Sequence, residues 1–200
     1  MNAASEAGLE IFGVSDHAAF PDDRWSGIRM RYEELDGYVE AVLAAQRSVP
    51  QVQILLAMEC ELVPEFKNYL QDELIGKRQF DYLIGAGHYT PHKGEWLSSF
   101  TELNCKPHLK SYTEHLCQMM ESKLFAFIAH PDLFGCTNLE WNAYLNACSR
   151  EILRTAEETQ TPLEINGSGL RKKYLKSADG FRPPYPWALF GNLPPTSTSR

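Results

Sequence analysis

The amino-acid sequence predicts an α/β fold, and three observations carry that expectation. Short apolar runs alternate with longer segments whose apolar residues recur at helical spacing, the pattern of successive βα units. Almost every apolar run leads into a polar or metal-competent residue at its C-terminal end. The length of 200 residues suits one domain that buries roughly 70% of its unfolded surface without a disulfide or metal staple.

Taken in chain order, residues 2–7 followed by Gly8 read as the last turn of a helix with its C′ glycine, so the chain opens inside a βα unit. The runs at 9–14, 52–58, 80–86, 124–129 and 162–165 are the expected strands. Between them, Tyr32, Leu35, Val39 and Val42 form one helical stripe, and Leu109, Tyr112, Leu116 and Met119 a second. Trp141, Leu145, Cys148, Ile152 and Ala156 form a third, and a shorter helix is expected after Pro64, a residue suited to a first helical turn. Such stripes are the ordinary mark of core faces. No internal repeat, low-complexity segment or linker divides the chain, so residues 1–187 are expected to form one partial barrel domain and 188–200 a disordered or irregular tail.

Composition narrows the function. With 44% apolar and 22% charged residues, and no run of ~18 uncharged apolar residues, a membrane span is not expected. Nineteen basic against 26 acidic residues give a formal charge of −7, which disfavours a surface built to neutralise phosphates and hence a nucleic-acid partner. The start has neither a basic n-region nor an apolar h-region, and the expected location is the cytoplasm. Five cysteines at irregular spacing without a C-x-x-C pair are unlike a disulfide framework and are expected to be reduced packing residues.

The chemistry collects at strand ends: Asp16 and His17 in VSDH, Glu59 and Glu61 in AMECEL, His88 in IGAGHY, His130 and Asp132 in IAHPD, and Glu164 and Asn166 in LEING. In an α/β barrel the carboxyl ends of the strands share one rim, where residues scattered in sequence meet. Neutral imidazoles and carboxylates gathered there are suitable ligands for a divalent transition metal. A lone histidine after a strand is usually a hydrogen-bonded core or loop residue; repetition at successive strand ends is what favours a metal site. Glu61, two residues past Glu59, is expected beyond the strand end as an exposed carboxylate, while Asp16 and Asp132 suit orienting or capping roles.

Two further constellations carry less. Cys105, His108, His115 and Cys117 read C-x2-H-x6-H-x-C, but they fall on a helical stripe without the usual zinc spacings. The stretch Gly167-Ser-Gly-Leu-Arg lacks both P-loop and dinucleotide signatures, yet it offers Arg171 as a candidate anchor for a phosphate, the alternative being a surface ion pair. No G-x-S-x-G and no cysteine–histidine pair points to covalent catalysis.

In this order, VSDH, the Glu59 strand end, FDYLIGAGHY, FIAHPD and LEINGSGLR resemble the PHP family of metal-dependent phosphoesterases, and within it the histidinol-phosphatase branch. The similarity runs from about Leu9 to Trp187. The resemblance implies a distorted seven-stranded (β/α) barrel with two or three divalent metals, zinc, manganese or iron, at its carboxyl rim. It implies hydrolysis of a small phosphorylated substrate such as histidinol phosphate, within histidine biosynthesis. By motif match, His17, Glu59, His88 and His130 would be metal ligands and Arg171 would hold the phosphate. A metal-activated water would serve as nucleophile, so no protein nucleophile is required.

The chain departs from the family pattern in two places. The H-x-H pair that ends the family's first strand is absent, and no histidine follows Arg171 where the family has D-x-H. Both coincide with ends that read as cut, so the first and last strands are expected to be missing and the unclosed barrel edges to favour self-association. Rival expectations are an impaired fragment acting as an interaction module, a PHP phosphoesterase acting on nucleic acid or another small phosphate ester, and a TIM-barrel metal-dependent amidohydrolase.

Overall fold

The computed structural model describes residues 2–137 and 142–166. The secondary structure begins with α1 (Asn2–Glu6), then β1 (Ile11–His17), α2 (Leu35–Ser48) and β2 (Gln53–Cys60). It continues through β3 (Tyr82–Ala86), β4 (Tyr89–His92), β5 (Glu95–Ser98), α3 (Lys106–Glu121), β6 (Phe127–Ala129) and α4 (Ala143–Thr159). Four strands form one sheet in the order β1-β2-β3-β6, with β1 parallel to β2 and β2 parallel to β3, and β4 and β5 form a separate antiparallel pair. The α/β class with a parallel sheet is therefore present, but the described residues hold no closed barrel.

The chain divides into two compact units, Met1–Ala86 with Gln118–Ile128, and Gly87–Cys117 with the described residues from Ala129 onward. In the first, α1 ends as its sequence dictates: Gly8 takes φ 74°, and the amides of Ala7, Gly8 and Leu9 donate to the carbonyls of Ala3, Ser5 and Ala4. Strand β2 has a neighbour on each side and buries Ile54, Leu56, Ala57, Met58 and Cys60, as a near-continuous apolar run should in a parallel sheet. Strand β1 lies at the end of the strand order, and Ile11 and Phe12 remain exposed. The expected helix after Pro64 is a 3₁₀ turn, Pro64–Phe66, leading into a π-helical segment, Tyr69–Lys77. Tyr69 donates to the Ala19 carbonyl at 2.6 Å, and its ring joins Phe20 and Phe66 in an aromatic cluster that fixes the loop after β1.

Gly85 is confined by the same unit's core. A Cβ there would stand 2.6 Å from Ile128 Cδ1 and 3.1 Å from Phe125 Cγ. Gly85→Ala is expected to cost about 1–3 kcal/mol through overpacking, read as a lower denaturation midpoint; an unchanged midpoint would mean that these side chains yield freely.

In the second unit, Leu109, Tyr112 and Leu116 of α3 are fully buried, confirming that part of the stripe as a core face. Leu145, Cys148, Ile152 and Ala156 are likewise buried on α4, whose N-cap Asn142 accepts from the amides of Tyr144 and Leu145. Trp141, assigned to the same stripe, lies outside the described residues. The run at 162–165 gives only an isolated bridge at Leu163 instead of a strand. The β4–β5 hairpin is an addition to the sequence reading: Lys93 and Gly94 both take positive φ (50° and 88°), as a two-residue type I′ loop requires. Cys60, Cys117 and Cys148 are buried, as expected of packing residues, and Cys105 and Cys136 are half-buried.

Candidate metal centre

In the first unit, the parallel register sets His17 directly beside Glu59 where β1 and β2 end. Their side chains converge, with His17 Nε2 3.5 Å from Glu59 Oε2. Two donors bound tetrahedrally to one ion at the usual zinc distances are about 3.4 Å apart, so this pair fits a shared ion without rearrangement. Asp16 accepts from the His17 amide at 2.7 Å, and its Oδ1 lies 3.6 Å from His17 Nδ1. Asp16 therefore lies on the Nδ1 side of the imidazole and Glu59 on the Nε2 side. The Tyr38 hydroxyl lies within hydrogen-bonding distance of the carbonyls of Val14 and Ala57 on the two strands, at 3.0 and 2.9 Å, which share its one proton.

Glu61 departs from its expected exposed position. It is fully buried, and Arg29 grips it with two hydrogen bonds, Nη1 to Oε2 at 2.7 Å and Nη2 to Oε1 at 2.5 Å. The guanidinium also lies 5.0 Å from the Trp25 ring centroid. A desolvated carboxylate requires such a partner, and Arg29 lies 32 residues away with no local motif to announce it.

In the second unit, His88 and His130 come together with ring centroids 4.8 Å apart. His88 is buried and stacks on Phe100, while its carbonyl accepts from Ser99. Gly87 makes its approach possible, since a Cβ there would stand 3.0 Å from Leu116 and 3.1 Å from Tyr112. His130 adopts φ 31°, in the sparsely populated left-handed region, and its amide donates to Glu164 Oε2 at 2.8 Å. Asn166 in turn donates to both Glu164 oxygens, at 3.1 and 3.2 Å. Glu164 and Asn166 therefore hold the His130 backbone, and Tyr112 holds the adjoining Pro131 carbonyl at 3.0 Å. Burial pushes the Asp132 carboxyl up to about 6; the Glu164 charge adds to the rise and His130 opposes it.

The structure thus pairs His17 with Glu59 in one unit and His88 with His130 in the other, while Arg171 lies outside the described residues. The alternative cysteine–histidine set does not assemble. His108 faces His92, His115 is buried against Trp96, and Cys117 accepts from Thr155 Oγ1 at 3.3 Å.

Residues 1–168 match the family described as PHP domain. This chain belongs to the PHP domain family. A Deinococcus radiodurans relative described as "Probable histidinol-phosphatase" is 28% identical over 138 residues, covering 66% of this chain and 52% of the relative. The chain spans about half the length of that protein. The Listeria monocytogenes structure titled "Crystal structure of the putative histidinol phosphatase hisK" superposes with a TM-score of 0.65 at 15% identity, covering 84% of this chain and 74% of the other. At that identity the likeness establishes the fold. Among the described residues, no helix is long and apolar enough to cross a membrane.

Proposed function

We propose that this PHP domain is a divalent-metal-dependent phosphomonoester hydrolase, with L-histidinol phosphate or a close analogue as substrate. The observation that carries the reading is the His17–Glu59 pair, 3.5 Å apart at the ends of adjacent parallel strands in a chain of this family. We assign His17, Glu59, His88 and His130 as the metal ligands, because each stands in one of the strand-end motifs that resemble the family. Arg171 is assigned to the substrate phosphate, for which a guanidinium offers two parallel donors.

A bound divalent ion would supply water activation at neutral pH and offset negative charge on the phosphoryl oxygens. The chain's own groups prepare that chemistry. Asp16 accepts from the His17 amide, Glu164 and Asn166 fix the His130 backbone, and Phe100 stacks on His88. Five cysteines at irregular spacing without a C-x-x-C pair suit a reducing compartment, and we place the chain in the cytoplasm.

Phosphate release from L-histidinol phosphate by the purified chain tests the reading. Turnover is expected with added manganese or zinc, abolished by chelator and restored by excess metal. A folded, metal-loaded chain that releases no phosphate from this or any simple phosphomonoester would contradict it and leave an interaction module as the better account.

A further inference from the structure

We propose a second divalent-cation site on the second unit, formed by the imidazoles of His92 and His108 and suited to a borderline ion such as zinc, nickel or copper. His92 ends β4 and His108 stands in the first turn of α3, and their ring centroids are 4.7 Å apart at an interplanar angle of 74°. Both rings sit on regular elements, which limits the reorganisation that binding would require.

Hydrogen bonding at the Nδ1 atoms prepares both rings as ligands. His108 Nδ1 lies 2.8 Å from the Glu102 carbonyl oxygen, which can only accept, so the proton sits on Nδ1 and the Nε2 lone pair remains for a metal. His92 Nδ1 lies 2.9 Å from Ser111 Oγ, and a hydroxyl that accepts there gives His92 the same tautomer. A ring N–H held by a carbonyl or similar acceptor is the usual companion of a metal-ligating histidine.

Two nitrogens with water completing the coordination shell favour imidazole-seeking cations over magnesium or calcium, which prefer oxygen. The site shares no residue with the proposed catalytic set, so it stands or falls independently of the hydrolase assignment.

Equilibrium dialysis against nickel, with the intact chain and its His92→Gln and His108→Gln variants, provides the test. The wild type is expected to bind about one more equivalent than either variant, and magnesium should not compete for that equivalent. In nuclear magnetic resonance spectra of the wild type, the ring protons of His92 and His108 are expected to broaden together at substoichiometric nickel. Equal stoichiometry in all three folded proteins would overturn the proposal. So would broadening of the two rings at different nickel concentrations, a result that does not depend on the variants folding.

Discussion

Arg29→Met is expected to cost about 3–5 kcal/mol of folding stability, the usual penalty for leaving one member of a buried ion pair without its partner. Both side chains are essentially out of water, 1% and 0% exposed, and two guanidinium nitrogens bind the two Glu61 oxygens. Removing the cation strands a carboxylate in a medium that cannot solvate it. The double variant Arg29→Met/Glu61→Leu removes both charges and is expected to recover most of the loss, because desolvation and attraction then disappear together. Urea denaturation of the two variants beside the wild type measures this directly. A loss below about 1 kcal/mol in the single variant would mean that water reaches Glu61.

The second large effect concerns the ligand pairs. Glu59→Gln and His130→Asn are each expected to lower kcat/KM for a phosphomonoester by more than about 100-fold, beyond the 10–100-fold typical of residues that merely support a ligand. Glutamine keeps the shape of Glu59 but loses the charge that an ion requires. The Glu59 side chain stands beside His17 at a strand end, 16% exposed, so its replacement should leave the unfolding midpoint nearly unchanged. That separation of activity from stability distinguishes a ligand from a structural carboxylate. A variant retaining more than about a tenth of wild-type activity would remove the residue from the site.

Much of this organisation was legible in the sequence because its physical cause is local. The α3 stripe works because residues three and four apart share a helix face, and Leu109, Tyr112, Leu116 and Met119 are all fully buried. His17 and Glu59 were recognisable because both stand where an apolar run ends, and parallel register then makes them neighbours. The burial of Glu61 was not legible, since Arg29 reaches it from the loop after β1 without a periodic or motif signal. The roles of Glu164 and Asn166 as supports for His130 likewise depend on contacts across 34 and 36 residues of chain, the second relayed through Glu164. The β4–β5 hairpin did carry a signal in Lys93-Gly94, but Tyr89–His92 and Glu95–Ser98 are short and contain little alternation. The 162–165 run shows the opposite limit: its apolar composition suits a strand, yet only Leu163 forms a bridge.

The most direct test is elemental analysis of the chain after manganese or zinc loading and exhaustive dialysis, carried out in the His108→Gln background so that only the strand-end residues are counted. At least one tightly held equivalent is expected, falling well below one in the Glu59→Gln and His130→Asn variants. Little metal in the folded parent, or the same metal content with and without these ligands, would contradict a metal centre built from His17, Glu59, His88 and His130.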